Sequence, residues 1–128
     1  MKKKILIVVA DYYKTIAKSL LKSAKNKIKN KCSIKVINVP GAFEIPVTIS
    51  KNLNKFNGFI ALGCVIKGQT PHFDFISKAT TDALMTLSIT SNKPVGNGVI
   101  TCLSKKQAIE RGRKGSEAAG AVLSVLSQ

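Results

Sequence analysis

Three observations predict an α/β fold, a three-layer α/β/α sandwich built on a four-stranded parallel sheet. The apolar pattern of the 128-residue chain alternates four times between strand-like runs and helical stripes. The connections between strand-like runs are long enough for crossovers, which parallel neighbours require. Third, the run Gly63-Cys-Val-Ile-Lys-Gly-Gln-Thr-Pro-His72 ends a strand in a glycine turn and opens a helix with the only histidine. Ligands of such sheets bind outside the carboxyl ends of the strands, so chemistry is expected near Ala10, Val39, Ile66 and Thr101.

Each element has its own signal. Ile5 to Ala10 is a continuous apolar run, as expected of a strand buried on both faces. From Lys14 to Asn30, Ile16, Ala17, Leu20, Leu21, Ala24 and Ile28 form one helical stripe, opposite Lys14, Lys18, Lys22, Lys25 and Lys29. Ser33 to Val39 reads as the second strand, closed by Pro40-Gly41. Glu44 to Asn54 reads as a helix with Pro46 in its first turn, the one place a helix tolerates proline.

Phe59 to Ile66 is the third strand. Thr70 as N-cap and Pro71 as first helical residue open a helix whose core stripe is expected at Ile76, Ala79, Ala83 and Leu87. Pro94 to Cys102 gives the fourth strand. Ser104 and Gln107 have capping-box spacing and start a helix to about Arg111; Gly112 and Gly115 interrupt it, and Glu117 to Leu126 resumes a helical pattern.

Composition bounds the function. At 45% hydrophobic the chain can bury one core, so residues 1–128 are read as a single domain. The basic start followed by an apolar run resembles a secretory leader, but Asp11 ends that run after six residues and no clear cleavage site follows. No segment approaches the roughly 20 apolar residues that span a bilayer, so no membrane partner is expected. Cys32, Cys64 and Cys102 are widely spaced and lack a C-x-x-C pair, which argues against a metal site or disulfide framework and for a reducing cytoplasm. The net charge of +15 suits a polyanion, yet nearly all of it is lysine, eleven lysines lie in the first 35 residues, and aromatics are few. Lysine spread over a solvated face raises charge without building a site, so nucleic acid is disfavoured as a partner.

The loops carry the candidate chemistry. Lys67-Gly68-Gln69-Thr70 leads into a helix whose first N–H groups are unpaired, which suits a phosphate; an ordinary helix cap is the other reading. His72 falls in the first turn, where the positive helix end disfavours a further positive charge and offers the imidazole as a base. In Val39-Pro-Gly-Ala-Phe-Glu-Ile-Pro46, Phe43 is either a core residue or a wall for a flat ligand, and Glu44 is an acceptor for its hydroxyl or N–H groups. Tyr12 is placed to cover the other face of such a ring, while Tyr13 reads equally well as structural. Arg111 and Arg113, the only arginines, have the fork geometry that suits a phosphate.

Residues 39–46 and Leu62-Gly-Cys-Val-Ile-Lys-Gly-Gln-Thr-Pro-His-Phe-Asp74, with Pro94-Val-Gly-Asn-Gly-Val-Ile-Thr101 and Gln107-Ala-Ile-Glu-Arg111, together resemble the 6,7-dimethyl-8-ribityllumazine synthase family. The resemblance implies a flavodoxin-like fold. It also implies the penultimate step of riboflavin biosynthesis, the condensation of 5-amino-6-(D-ribitylamino)uracil with 3,4-dihydroxy-2-butanone 4-phosphate, without cofactor or metal.

Under the resemblance, His72 is the proton-transfer residue, and Gln69, Thr70, Arg111 and Lys114 attend the phosphate. Tyr12, Ala42, Phe43, Glu44, Cys64, Val65, Ile66 and Asn97 meet the ribitylaminouracil. Tyr12 stands where the family usually has a phenylalanine and Lys67 where arginine is common. The family's site lies between subunits of a homopentamer, with Arg111, Asn97 and Lys114 supplied by the neighbour, and riboflavin synthase is a candidate associate. The sequence begins at its first strand and is short between Arg111 and Lys114, so the expected assembly stops at the pentamer. A basic nucleic-acid-binding module and a non-catalytic flavin or lumazine carrier are the competing readings.

Overall fold

A computed structural model describes residues 2–68 and 71–128. Its centre is β1 (Lys3–Ala10), whose alternate side chains Ile5, Ile7 and Val9 on one face and Leu6, Val8 and Ala10 on the other are all buried. A strand can bury both sets only when layers cover both faces. It pairs in parallel with β2 (Cys32–Val39), from Lys3 opposite Cys32 to Ala10 opposite Val39, and with β3 (Gly58–Ile66), from Ile5 opposite Gly58 to Val9 opposite Leu62. The strand β4 (Val95–Cys102) pairs in parallel with β3 and leaves the order β2-β1-β3-β4.

The helices are α1 (Lys14–Ile28), α2 (Ile45–Lys51), α3 (His72–Ser91), α4 (Lys105–Glu110) and α5 (Lys114–Leu126). Ile16, Leu20, Ala24 and Ile28 of α1, with Ala118, Ala119 and Val122 of α5, pack on Ile5, Ile7, Val9, Ile60, Leu62 and Ile100. Ile45 and Ile49 of α2 and Leu84 of α3 pack with Leu6, Val8, Phe59 and Ala61 on the opposite face. Each such Ile, Leu or Phe contributes about 1.5–3 kcal/mol of burial energy. The predicted sandwich is the observed one.

Several boundaries differ. The first strand starts at Lys3, because backbone pairing with Cys32 extends it beyond its apolar run. A 3₁₀ turn at Ala42–Glu44 precedes α2, which starts at Ile45, carries Pro46 in its first turn and ends at Lys51. The helix α3 takes Pro71 as its N-cap, one position outside the expected place, and ends at Asn92 in the left-handed conformation with φ 57°. Thr70, the predicted N-cap, lies outside the described residues. The buried stripe of α3 is centred on Thr80 and Leu84 flanked by Ile76 and Leu87, and Ala79 is exposed. Two alanines carried too little apolar surface to fix the stripe; Leu84 does so.

Ser104 caps α4 as predicted, its Oγ accepting from the Gln107 N–H at 3.2 Å. Gln107 Oε1 accepts from the Leu103 N–H at 2.8 Å, one residue before the usual capping-box partner. The final helix begins at Lys114, three residues earlier than expected, so Gly112 alone lies in the break and Gly115 sits inside α5. Packing explains this glycine: it is buried where α5 crosses α1, and a Cβ there would overlap the Leu20 carbonyl oxygen.

After β1 the chain turns to one face of the sheet as α1, and after the adjacent β3 it turns to the other face as α3. Neighbouring strands whose connections diverge leave a crevice at their carboxyl ends, the usual ligand position in open parallel sheets.

Candidate active site at the carboxyl edge of the sheet

A cleft of about 600 Å³ occupies that crevice, in the size range of small-molecule sites. Its lining is Tyr12 and Tyr13 from the β1–α1 loop, Gly41, Ala42, Phe43 and Glu44 before α2, Cys64, Val65 and Ile66 at the end of β3, and His72 and Ile76 from α3. Eight residues expected at the site from sequence thus meet in one cleft: Tyr12, Ala42, Phe43, Glu44, Cys64, Val65, Ile66 and His72.

Local structure sets each group. Ile66 ends β3, and His72 is the first residue of α3, so strand and helix deliver the imidazole to the mouth of the cleft. The 3₁₀ turn buries Ala42 and turns Phe43 out, leaving its ring 61% exposed; Tyr12 is 74% exposed. Aromatic surface left in water at a cleft suits a flat partner. Glu44 is half-buried, and its carboxylate has no hydrogen-bond partner among the described residues. A partly desolvated carboxylate without a partner is a ready acceptor for ligand N–H or O–H groups.

The thiol of Cys64 is pushed up to about 12, chiefly by burial and further by Cys102, with the Arg111 guanidinium acting in the opposite direction. A protonated thiol is a soft apolar wall and a poor nucleophile. Burial also raises the Tyr13 phenol, followed by Cys64 and Tyr12. Among the described residues no group of three or more His, Cys, Asp or Glu could hold a metal ion.

The remaining expected residues stand elsewhere. Asn97 lies exposed in β4, one of the two edge strands, and its Oδ1 accepts from the Val99 N–H at 3.0 Å. Arg111 caps the end of α4, with Nη1 donating to the Thr101 carbonyl at 3.1 Å and lying 3.7 Å from Cys102 Sγ. Lys114 begins α5, its Nζ 3.8 Å from the Glu117 carboxylate. None of the three lines the cleft. Gln69 and Thr70 lie outside the described residues.

The structure adds Tyr13, Gly41 and Ile76 to the lining. Ile76 was open to inference, being four residues from His72 and so on the same helix face. Gly41 left no signal beyond its turn.

A family model for 6,7-dimethyl-8-ribityllumazine synthase matches residues 2–128. The chain is 41% identical to the 6,7-dimethyl-8-ribityllumazine synthase of Buchnera aphidicola subsp. Baizongia pistaciae, over 98% of this chain and 87% of that one. It is 39% identical to the enzyme of the same name from Bartonella tribocorum, over 99% and 91%. A solved 3-dehydroquinate dehydratase-like protein from Bifidobacterium longum aligns with a TM-score of 0.50 at 14% identity, covering 100% of this chain and 99% of that one, a likeness of fold alone. Full-length matches at this identity leave one assignment: the chain belongs to the 6,7-dimethyl-8-ribityllumazine synthase family.

Proposed function

We propose that this chain is a transferase of riboflavin biosynthesis that condenses 5-amino-6-(D-ribitylamino)uracil with 3,4-dihydroxy-2-butanone 4-phosphate, releasing phosphate and water and forming 6,7-dimethyl-8-ribityllumazine. The observation that carries the reading is a single cleft uniting Tyr12, Phe43, Glu44 and His72 in a chain of that family. Residues 1–128 form one such domain.

The chemistry asks for position and proton transfer more than for a nucleophile. The 5-amino group attacks the ketone and one water leaves to give an imine. A proton then leaves the adjacent carbinol carbon as phosphate departs from the next carbon, and the enol so formed becomes a ketone. The ribitylamino nitrogen attacks that ketone, and a second water leaves as the second ring closes. Tyr12 and Phe43 flank the pyrimidine and Glu44 accepts its polar hydrogens; Ala42, Val65, Ile66 and the protonated Cys64 supply dry walls. His72 moves the protons, a role worth about 10²–10⁴ in rate. Holding both substrates together supplies much of the remaining acceleration.

Asn97, Arg111 and Lys114 serve the cleft of a neighbouring subunit in a homopentamer. Two observations support this: all three lie outside their own cleft, and β4 beside them is an unpaired edge. Val47, Met85 and Ile89 also remain 58–66% exposed on α2 and α3, apolar surface that a neighbour would cover. The free thiols of Cys32, Cys64 and Cys102 support a cytoplasmic setting, and no described helix is long and apolar enough to cross a membrane. Riboflavin synthase, the consumer of the product, is the candidate partner.

The test is turnover by the purified chain from both substrates, with lumazine followed by absorbance and phosphate measured in parallel. Equal molar release is expected. Binding of lumazine without turnover would instead make the protein a carrier.

A further inference from the structure

Tyr12 presents most of its ring to solvent, and a free aromatic side chain must be immobilised at an entropic cost when a ligand stacks on it. One neighbour restrains it. The Tyr12 and Tyr13 rings meet edge to face, with centroids 4.9 Å apart and planes at 81°. Tyr13 is itself anchored: it is half-buried against the core beneath α1, it is the N-cap of that helix, and its carbonyl accepts from the Ala17 N–H at 2.9 Å. Its phenol is desolvated and sits in the field of Cys64, on the cleft wall. The two consecutive residues therefore divide the work, one ring fixed in the core and the other held against it.

We infer that Tyr13 is a positioning residue that preorganises the Tyr12 ring as the stacking wall for the pyrimidine substrate. The inference rests on the reading of Tyr12 as that wall, and a property of the chain separates the two. Tryptophan is absent and Tyr12 and Tyr13 are the only tyrosines, so the near-ultraviolet tyrosine circular dichroism reports this pair alone.

Tyr13→Phe keeps a ring edge for Tyr12, and Tyr13→Leu keeps apolar volume without one. In the ligand-free protein, Tyr13→Phe retains the dichroism of the remaining tyrosine and Tyr13→Leu loses most of it, at unchanged far-ultraviolet signal. In the lumazine assay, Tyr13→Leu raises KM for the ribitylaminouracil about threefold to tenfold, the butanone phosphate KM and kcat move little, and Tyr13→Phe restores KM. In a Tyr12→Ala background the Tyr13→Leu change adds nothing further. Equal dichroism in Tyr13→Phe and Tyr13→Leu would overturn the positioning role, as would equal rises in both KM values. A lost signal in a protein without turnover would leave the positioning intact and sink the synthase reading.

Discussion

The carboxylate of Glu44 lies over the backbone of Gly41: a Cβ added at Gly41 would stand 3.1 Å from Glu44 Oε1, and the Glu44 N–H donates to the Gly41 carbonyl, also at 3.1 Å. The bare glycine lets the acid fold back into the cleft. Gly41→Ala is expected to displace the carboxylate by a few tenths of an ångström while leaving the buried Ala42 and Ile45 in place. A hydrogen bond to a charged group is worth ~1.5–3 kcal/mol, so its partial loss predicts a rise of about threefold to tenfold in KM for the ribitylaminouracil, at unchanged Tm. Steady-state kinetics with calorimetry on the same variant check this.

Gly115 is the structural counterpart. Its would-be Cβ overlaps the Leu20 carbonyl oxygen and crowds the Ala24 nitrogen, both backbone atoms that no rotamer change can move. Gly115→Ala must push α5 off α1 and is expected to cost about 1–3 kcal/mol or more, read as a lower urea midpoint. Gly120→Ala is the control, since a Cβ there meets only the end of Lys27 at 3.5 Å.

The raised Cys64 thiol predicts an alkaline instability. Its folded pKa of about 12 exceeds the ordinary 9.0, so between those values the native state keeps a proton that the unfolded chain has lost. Unfolding then releases a proton, and stability falls as pH rises through this window. Urea midpoints from about pH 8 to about pH 11 should fall more steeply for wild type than for Cys64→Ala; parallel profiles would contradict the assignment. The same protonated thiol predicts slow alkylation by iodoacetamide near neutral pH.

Arg111 spends one N–H on the Thr101 carbonyl and keeps the rest of its fork outside its own cleft. Arg111→Lys cannot both hold that carbonyl and pair a phosphate bidentately, so KM for the butanone phosphate is expected to rise about tenfold or more. If Arg111 serves a neighbour, His72→Ala and Arg111→Ala proteins, each strongly impaired alone, regain turnover after being unfolded and refolded together. Failure of every mixture to recover would place both groups in one subunit's site.

The sheet was legible because both alternating faces of Ile5 to Ala10 are apolar, a pattern only a central strand needs, and because a helix opening on His72 comes next after the third strand. What escaped depends on contacts between distant segments. Gly115 reads as a helix breaker in isolation and is a packing residue only because Leu20 lies against it. Ala79 and Thr80 differ by one position, and the choice between them is made by the sheet under α3. Tyr13 could not be assigned while the ring of Tyr12 had no known orientation. The separation of Asn97, Arg111 and Lys114 from the cleft did not escape: the family resemblance assigns all three to a neighbouring subunit, although their spacing along the chain alone does not encode it.

The central claim is that this cleft makes lumazine with His72 as its proton carrier. The most direct test is the rate of lumazine formation from both purified substrates by wild type and His72→Ala, with each sample sized and its dichroism recorded. The account predicts turnover by an oligomer and a fall of about 10²–10⁴ in kcat in an equally folded, equally assembled variant. A folded oligomer without turnover, or a His72→Ala protein as fast as wild type, would contradict it.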